Sequence, residues 1–348
     1  MRHLKLIGAL SFSRFESAFS YLRYLHNFTH RSLQQFFYLS LASFPKTHRK
    51  QTHSLLRVSS KHQWYNKLLC LEKFVFPYRS GPKLSLRYCS LASGSSGNCH
   101  FLSSEKTRIL VDAGCSMRYV RSALSQIDEA LEDIQAVFIS HEHRDHVIGL
   151  GPLARKYGFM LIMHRATYQA VGDKLENISS NRIHLIEAGS FRFEDLDIEA
   201  FTLSHDAENT FGFTFSKGSS RVGIATDLGT VSKTVLNKLQ ACQFISIDCN
   251  YDAEMLEKGP YPEVIKKRIA SKTGHLSNQD TAELVSTLQN VGLIQNVLLA
   301  HMSAENNNPA LALKAIQDAI RPPGSRAERD IILEVADRAR VSHLHVIR

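Results

Sequence analysis

The stretch His141-Glu-His-Arg-Asp-His146 directly follows Ala136-Val-Phe-Ile-Ser140, a short apolar run that predicts a buried strand. Three imidazoles and one carboxylate within six residues supply nitrogen and oxygen ligands that suit a borderline-soft divalent ion. A loop this short cannot turn all four side chains onto one ion. The spacing therefore predicts two neighbouring ions, with the first two histidines facing one ion and Asp145 and His146 facing the other. The alternative is an ordinary exposed polar loop after a strand.

Further candidate ligands follow apolar runs elsewhere in the chain. They are Asp112, His205, Asp227 and His301. Polar residues at strand exits converge on one edge of a layered fold, so distant segments can reach a common point. A single His or Asp after a strand is more typical of a turn or a helix cap. The order Asp, H-x-H-x-D-H, His, Asp, His is what makes the set specific.

Strand and helix patterns alternate from residue 85 onward. Apolar residues alternate through residues 183–226, which is typical of half-buried antiparallel strands. Helical spacing is found in six segments: Met117–Ile127, Gly151–Tyr157, Val231–Leu239, Tyr261–Ala270, Asn278–Gln289 and Ala310–Ile320. Strand patterns at Asn296–Ala300 and Ile331–Val335 separate the last helices. The pattern predicts an α/β chain with two mixed sheets faced by helices, forming one domain of four layers over residues 85–348.

Residues 1–84 differ sharply in charge from the remainder. They hold 14 Lys and Arg against 2 acidic residues, a balance of +12, whereas residues 85–348 hold 28 against 31, a balance of −3. The net charge of +9 therefore belongs to this basic, poorly patterned N-terminal extension, which we expect to be poorly ordered. A transit-like targeting segment, a basic arm for nucleic acid or membrane surfaces, and a non-native extension from an upstream start site are all compatible with it.

The compartment is indicated by the cysteines and by hydropathy. The six cysteines form no C-x-x-C pair and are interpreted as reduced thiols in a cytoplasmic protein. The most apolar stretch of the extension, Leu33–Phe44, is too short to span a bilayer, so no stable membrane association is expected. An organellar location is the alternative if residues 1–84 act as a transit segment.

The order of candidate ligands resembles the metallo-β-lactamase superfamily over residues 85–348. The resemblance implies an αββα sandwich and a dinuclear centre. It places His141, His143 and His205 on the first metal, Asp145, His146 and His301 on the second, Asp227 between the two, and Asp112 in support of the ligand loop. Zn or Mn, and also Fe, would suit these ligands.

Four loop sequences resemble the WalJ/YycJ branch of that superfamily, bacterial proteins described as DNA exonucleases. They are residues 91–98, 204–207, 274–278 and 301–309. The resemblance implies a DNA exonuclease with 5′-to-3′ action. Residues 1–84 have no counterpart in that branch.

The predicted chemistry also follows from the ligand set. Two divalent ions about 3.5–4 Å apart can share a bridging water and lower its pKa towards neutrality, which suits phosphodiester hydrolysis by a bridging hydroxide. Asp145 or Asp227 could orient that water. His275 lies in a Gly-initiated loop before a helix, where it could protonate the leaving oxygen, although a structural loop histidine is nearly as compatible.

Substrate contacts are predicted in three regions. The glycine-rich loop with Ser93, Gly94, Ser95 and Asn98 could cradle a phosphate, or be an ordinary hairpin turn. Asn306 and Asn307 could bind polar groups of the substrate. The basic residues Lys258, Lys266, Lys267, Arg268 and Lys272 could contact DNA, or form a solvated helix face.

Two other function classes compete with the nuclease. A small-molecule hydrolase of esters, thioesters or lactones would use the same metal centre, and a binding protein would carry a vestigial one. Every ligand position is filled, which disfavours the binding protein. Only 73 residues separate Asp227 from His301, which leaves no room for the inserted cap of the β-CASP RNA-processing nucleases. The sequence does not indicate the oligomeric state.

Overall fold

The computed structural model describes residues 86–321 and 331–348. The predictions for the basic extension, and for a domain boundary between residues 84 and 85, lie outside the described residues. Within the described ranges, no helix has the length and apolar character that a membrane span needs.

Two seven-stranded sheets form the centre of the fold. The first has the strand order β14-β1-β2-β3-β4-β5-β6, and its pairs are antiparallel from β14 to β3 and parallel from β3 to β6. These strands are β1 (Leu86–Ala92), β2 (Cys99–Ser103), β3 (Arg108–Val111), β4 (Ala136–Phe138), β5 (Met160–His164), β6 (Ile183–Ile186) and β14 (His345–Ile347).

The second sheet has the order β13-β12-β11-β10-β9-β8-β7, with antiparallel pairs from β7 to β10 and parallel pairs from β10 to β13. Its strands are β7 (Gly189–Phe193), β8 (Leu196–Leu203), β9 (Thr210–Lys217), β10 (Ser220–Ala225), β11 (Phe244–Asp248), β12 (Asn296–Ala300) and β13 (Ile332–Val335). Both sheets are thus mixed, as the sequence pattern predicts.

Nine α-helices of the described residues follow or separate these strands. They are α1 (Met117–Ser125), α2 (Arg144–Val147), α3 (Leu150–Tyr157), α4 (Arg165–Val171), α5 (Lys233–Leu239), α6 (Ala253–Lys258), α7 (Glu263–Ile269), α8 (Asn278–Val291) and α9 (Pro309–Ile320). Short 3₁₀ turns lie at Leu131–Asp133, Gly172–Leu175 and Ser180–Arg182. Ser277 caps α8 with a capping box, and Pro309 opens α9.

Three apolar cores separate the layers. The middle core lies between the sheets and is rich in phenylalanine, including Phe138, Phe213 and Phe244. A second core packs α5, α8 and α9 against one sheet, and a third packs α1 and α3 against the other. Because each sheet buries one face against the other sheet and one against helices, the αββα sandwich is confirmed.

The sequence pattern does not predict five of these elements: β2, β11, α2, α4 and α6; α2 lies within the ligand stretch that the sequence analysis describes as a loop. The omission of β11 matters most for function. Phe244–Asp248 is fully buried and pairs on both sides with parallel strands. A strand covered on both faces has no alternation of polar and apolar residues, so its short apolar run carries little signal.

Three of the predicted metal-binding or supporting residues lie at strand ends on one edge of the sandwich. Asp112 follows β3, Asp227 lies just beyond β10, and His301 follows β12, and all three adopt a left-handed backbone with φ of 62°, 60° and 53°. Such a conformation costs about 1–3 kcal/mol for a residue other than glycine. We attribute it to the sharp turn that each chain makes at the sheet edge, where these side chains face one another.

Candidate metal centre

The seven side chains predicted to bind metal lie together at that edge. Two groups have ligand atoms that all lie within 4.8 Å of one another: His141, His143 and His205, and Asp145, His146 and His301. These are the two sets that the superfamily resemblance implies. Asp227 lies between them, with its carboxylate oxygens 3.2 Å from Nε2 of His146, 3.5 Å from Nε2 of His301 and 3.6 Å from Nε2 of His205.

Four of these histidines are held through Nδ1. His141 contacts the Ser140 hydroxyl at 3.0 Å, His146 contacts Asp112 at 2.8 Å, His205 contacts the Gly274 carbonyl at 3.0 Å, and His301 contacts the Asn250 amide at 3.2 Å. In His141, His146 and His205 the partner of Nδ1 is an oxygen that can accept its proton, which leaves Nε2 for the centre, whereas in His301 the partner is the amide nitrogen of Asn250, a donor. Partners that fix the ring in this way are typical of histidines that bind metal.

The carboxylate of Asp112 holds the ligand loop, residues 141–146, in position. Its Oδ2 lies 2.8 Å from Nδ1 of His146, and its Oδ1 accepts hydrogen bonds from the backbone N–H and the hydroxyl of Ser140. The same hydroxyl contacts Nδ1 of His141. One buried carboxylate therefore fixes the orientation of two rings, one in each group of ligands.

The backbone of the ligand loop is also tightly held. Asn98 N–H donates to the Asp145 carbonyl at 2.8 Å, and Ala113 N–H donates to the His146 carbonyl at 2.8 Å. A Cβ at Gly114 would lie 1.6 Å from the carbonyl oxygen of Asp145. Only glycine fits at this position, because any side chain would push the ligand loop away from the sheet.

The donor set fits a pair of divalent cations. Nε2 of His141 is buried and has no hydrogen-bond partner among the described residues. A buried nitrogen of this kind costs free energy unless something binds to it. Five imidazoles and two carboxylates converge here, and these are donor types that Zn²⁺ and similar divalent cations bind.

Electrostatics divide the histidines into two kinds. Burial lowers the pKa of His141 well below its usual value and also lowers that of His205, so both rings are neutral, the form that binds metal. Burial opposes protonation of His301 and His146 too, but the carboxylates of Asp227 and its neighbours outweigh it. The pKa of His301 rises to about 9, and that of His146 rises well above its usual value.

The carboxylates respond to the same charges. Burial would raise the pKa of Asp227, but the adjacent His301 and His146 hold it well below its usual value, and Asp145 is lowered by the same two rings. The centre therefore keeps both carboxylates ionised, and ionised carboxylates are what divalent cations bind.

His275 lies beside the ligands. Its ring stacks on His301 with centroids 5.0 Å apart and lies 5.2 Å from His205. Its Nδ1 donates to Oδ2 of Asp248 at 2.9 Å, which leaves Nε2 available to a substrate. A ligand atom of His275 also lies within 4.8 Å of those of His205 and Asp227, and of those of Asp248 and His301, so the position suits a ligand as well as a proton donor.

Sequence reasoning misses two residues of this edge, Asp248 and Asn250. Asp248 closes β11, is fully buried, and accepts hydrogen bonds from His275 and from the backbone N–H of Leu228. Asn250 donates to the His301 carbonyl at 2.7 Å. The signal that identifies Asp112 and His301, a polar residue after an apolar run, is present here as well, at the end of Phe244-Ile-Ser-Ile.

The predicted phosphate cradle is wrong for most of its residues. The N–H of Gly94 donates to Oδ1 of Asn98, and the hydroxyl of Ser93 accepts from the N–H of His301. Asn98 is fully buried, with its amide 3.1 Å from Asp145 and 2.9 Å from His146. These groups hold the metal centre and are not free for a substrate. Ser95 and its neighbour Ser96 are the exposed residues of the loop, and Ser95 lines a cavity.

Asn306 and Asn307 are also buried within the protein rather than presented to substrate, which corrects the prediction for both. The backbone N–H of Asn306 donates to Ser303, and the amide of Asn307 donates to the Cys249 carbonyl and to Asn278. Amide groups used in this way brace the loop that follows His301.

The role of Asp112 leads to a first prediction. Asp112→Asn is expected to weaken metal binding by roughly 10- to 100-fold, because the ring of His146 loses the carboxylate that orients it. Metal affinity would be measured by competition with a chromogenic chelator. Asp128→Asn is the matched control, since Asp128 has a similar φ of 58° and lies at an exposed turn. Equal affinities for the Asp112 variant and the control would contradict the supporting role.

Comparison with known proteins agrees with the geometry. Residues 107–302 match the family model for the β-lactamase superfamily domain. A protein from Streptococcus pneumoniae named exodeoxyribonuclease WalJ is 40% identical over 234 residues, which cover 66% of this chain and 86% of that protein. One from Bacillus anthracis named exodeoxyribonuclease YycJ is 31% identical over 242 residues, which cover 69% and 91%.

Solved structures with the same fold are more distant in sequence. The metallo-β-lactamase-fold protein YhfI from Bacillus subtilis has a TM-score of 0.56 at 15% identity and covers 74% of this chain and 99% of that one. Zn²⁺-bound PqqB from Methylobacterium extorquens has a TM-score of 0.56 at 14% identity and covers 74% and 100%. The family model matches more than half of the chain, and the two relatives are 31% and 40% identical over most of their length. The chain therefore belongs to the β-lactamase superfamily, with the metallo-β-lactamase fold, and is similar to proteins of the WalJ/YycJ type.

Proposed function

We propose that this protein is a metal-dependent DNA exonuclease that hydrolyses phosphodiester bonds with two divalent ions, Zn, Mn or Fe, held by His141, His143, His205, Asp145, His146, His301 and Asp227. The observation that carries the proposal is the convergence of these seven side chains, with the His275–Asp248 pair beside them. The names of the two relatives support DNA as the substrate and cleavage from an end. The 5′-to-3′ direction rests on the resemblance to that branch alone.

The ions would supply charge that activates water and stabilises the oxygens of the phosphodiester during displacement. The chain's own residues do the rest. Asp145, held by Asn98 at 3.1 Å, and Asp227 present carboxylate oxygens that orient a water for attack. His275, fixed through Nδ1 by Asp248, offers Nε2 to the leaving oxygen and transfers a proton to it.

The direct test is turnover of defined substrates under Zn and under Mn. DNA and RNA labelled at the 5′ or the 3′ end would be incubated alongside a panel of thioesters and lactones. Progressive release of nucleotides from DNA is the expected result. Turnover of a thioester or a lactone without turnover of nucleic acid would instead support a small-molecule hydrolase.

We further propose that the protein acts in the cytoplasm. The five cysteines of the described residues are free, which agrees with a reducing compartment. Cys70 lies outside the described residues.

The basic segment after α6 is only partly available to DNA. Lys266 donates to the Glu257 carbonyl at 2.6 Å, Arg268 is paired with Asp206, and Lys258 with Glu254. Lys267 and Lys272 are exposed, and neither side chain has an ion pair within the described part of the chain. These two lysines are therefore the better candidates for contacts with phosphates.

A second prediction follows from this distribution. Lys267→Gln combined with Lys272→Gln is expected to lower DNA affinity and to reduce the slope of log K against log salt by about 1–2, because each phosphate contact releases condensed counterions. The slope would be measured by fluorescence anisotropy. Lys106→Gln is the control, since its turn between β2 and β3 lies at the opposite end of those strands from Asn98 and Asp112. An unchanged slope in the double variant would remove both lysines from the interface.

A further inference from the structure

A cavity of about 170 Å³ opens beside the metal centre. Its lining includes Asp206, Tyr261, Ile265, Arg268, Gly274 and His275. Several of these residues touch the proposed metal ligands. Gly274 accepts from Nδ1 of His205, Asp206 lies 3.4 Å from Nε2 of the same ring, and His275 stacks on His301. A group in this cavity therefore lies next to the bond that the centre would cleave.

One wall of the cavity suits a flat apolar ring. Tyr261, Ile265 and Ile269 supply an aromatic face and two aliphatic side chains. Tyr261 is half-buried, and its hydroxyl makes no hydrogen bond to the residues that the structure describes. The ring therefore lines the cavity, and its hydroxyl is not committed to a polar contact within the described part of the protein. The other walls carry the hydroxyls of Ser95 and Ser303, which can satisfy polar ring edges.

The helix that forms this wall, α7, is incompletely packed. None of its residues is buried, and Val264 and Ile265 expose 77% and 36% of their surface. A helix normally buries one apolar face against the protein. Here apolar surface remains exposed beside the catalytic edge and next to Lys267 and Arg268. The combination of apolar and cationic groups matches a nucleotide, which has a flat base and a charged phosphate.

We propose that this cavity receives the terminal nucleobase of a DNA strand, stacked on the ring of Tyr261. The inference rests on the proposed function and names the part of the substrate that the site selects. The cavity, about 170 Å³, is smaller than the roughly 300–1,000 Å³ of sites for drug-sized ligands, which suits a group of the size of a single base. Arg268 is fixed by its ion pair with Asp206 at the same cavity and has further N–H donors for the adjoining phosphate.

The first test combines a change in the protein with a change in the substrate, as in a double-mutant cycle, and uses the full chain with its metals. DNA with a normal end is compared with DNA whose terminal nucleotide is abasic. For the wild type, kcat/KM is expected to fall by about tenfold to a hundredfold on the abasic end, the size of one base–aromatic stack. Tyr261→Ala should show the same fall on the normal end and no further fall on the abasic end. Tyr261→Phe should behave as the wild type.

The matched control is Tyr157→Ala, at the end of α3, which lines neither the cavity nor the metal centre. It should retain full discrimination between the two ends. If the wild type cleaves both ends equally, or if the effects of Tyr261→Ala and of the abasic end multiply, the base does not stack on Tyr261 and the inference is overturned.

A binding measurement separates this inference from the proposed function. 2-Aminopurine is placed at either end, or at an internal position, of an oligonucleotide whose terminal linkage is an uncleavable methylenephosphonate. Stacking on Tyr261 should quench fluorescence at one terminus in the wild type and in Tyr261→Phe, but not in Tyr261→Ala. Quenching without hydrolysis of any natural DNA would support the cavity and reject the exonuclease. Hydrolysis of natural DNA together with equal quenching at terminal and internal positions would support the exonuclease and reject the base-binding cavity.

Discussion

Replacement of Asp227 by asparagine is expected to reduce hydrolysis of DNA by about a thousandfold or more. The carboxylate of Asp227 lies between the two groups of histidines, within 3.6 Å of three of their ring nitrogens. An amide has nearly the same shape but carries no charge, so it cannot hold two cations together. This reduction in rate corresponds to the loss of several kcal/mol of the transition-state stabilisation that the metal ions would provide.

The same variant should bind less metal than the wild type. Metal content would be measured by elemental analysis after mild purification, and hydrolysis under saturating Zn or Mn. Asp195→Asn is the control, because Asp195 is also a buried carboxylate but bonds to Ser104 and Thr107, far along the strands from the centre. If Asp227→Asn kept both its metal content and its rate, the bridging position would be assigned to the wrong residue.

The metal centre could be predicted from sequence because its residues follow one physical rule. Asp112, Asp227 and His301 each come after an apolar run, and parallel or mixed sheets bring such exits to a common edge. The spacing within residues 141–146 independently predicts two groups of ligands. These two signals agree with each other, and the agreement fixes both the fold and the edge at which the side chains meet.

The support for the centre was harder to predict, because it depends on hydrogen bonds between segments far apart in the chain. Asn98 and Asn307 are polar loop residues, which in a sequence resemble groups that contact substrate. In the structure each is buried, and its amide is used on neighbouring loops. Burial of a polar side chain is decided by the packing of several segments, and no local pattern reports it. Asp248 is not predicted because its strand, β11, is not predicted from the sequence pattern.

Replacement of His275 by alanine is expected to lower kcat for DNA by about 100- to 10,000-fold, the usual contribution of a general acid or base. The reason is that the ring of His275 stacks on His301 and is held through Nδ1 by Asp248, which leaves Nε2 for the leaving oxygen. Metal content should stay at the wild-type value, because His275 is proposed to move a proton rather than to hold an ion. Asp248→Asn should cause a smaller loss, and the double variant should be no slower than His275→Ala, because Asp248 acts through that ring.

The decisive measurement compares leaving groups. A p-nitrophenyl ester of thymidine 5′-phosphate releases a stable phenolate that needs no proton, so His275→Ala should reduce its hydrolysis by less than about tenfold while reducing DNA hydrolysis by far more. His164→Ala is the matched control, since His164 is another strand-end histidine, paired with Glu187 outside the metal-binding groups. If both substrates slow equally, and metal is lost with them, His275 is a ligand and the proton must come from elsewhere. If the ester is spared, the pair formed by His275 and Asp248 supplies the proton that an alkoxide leaving group requires.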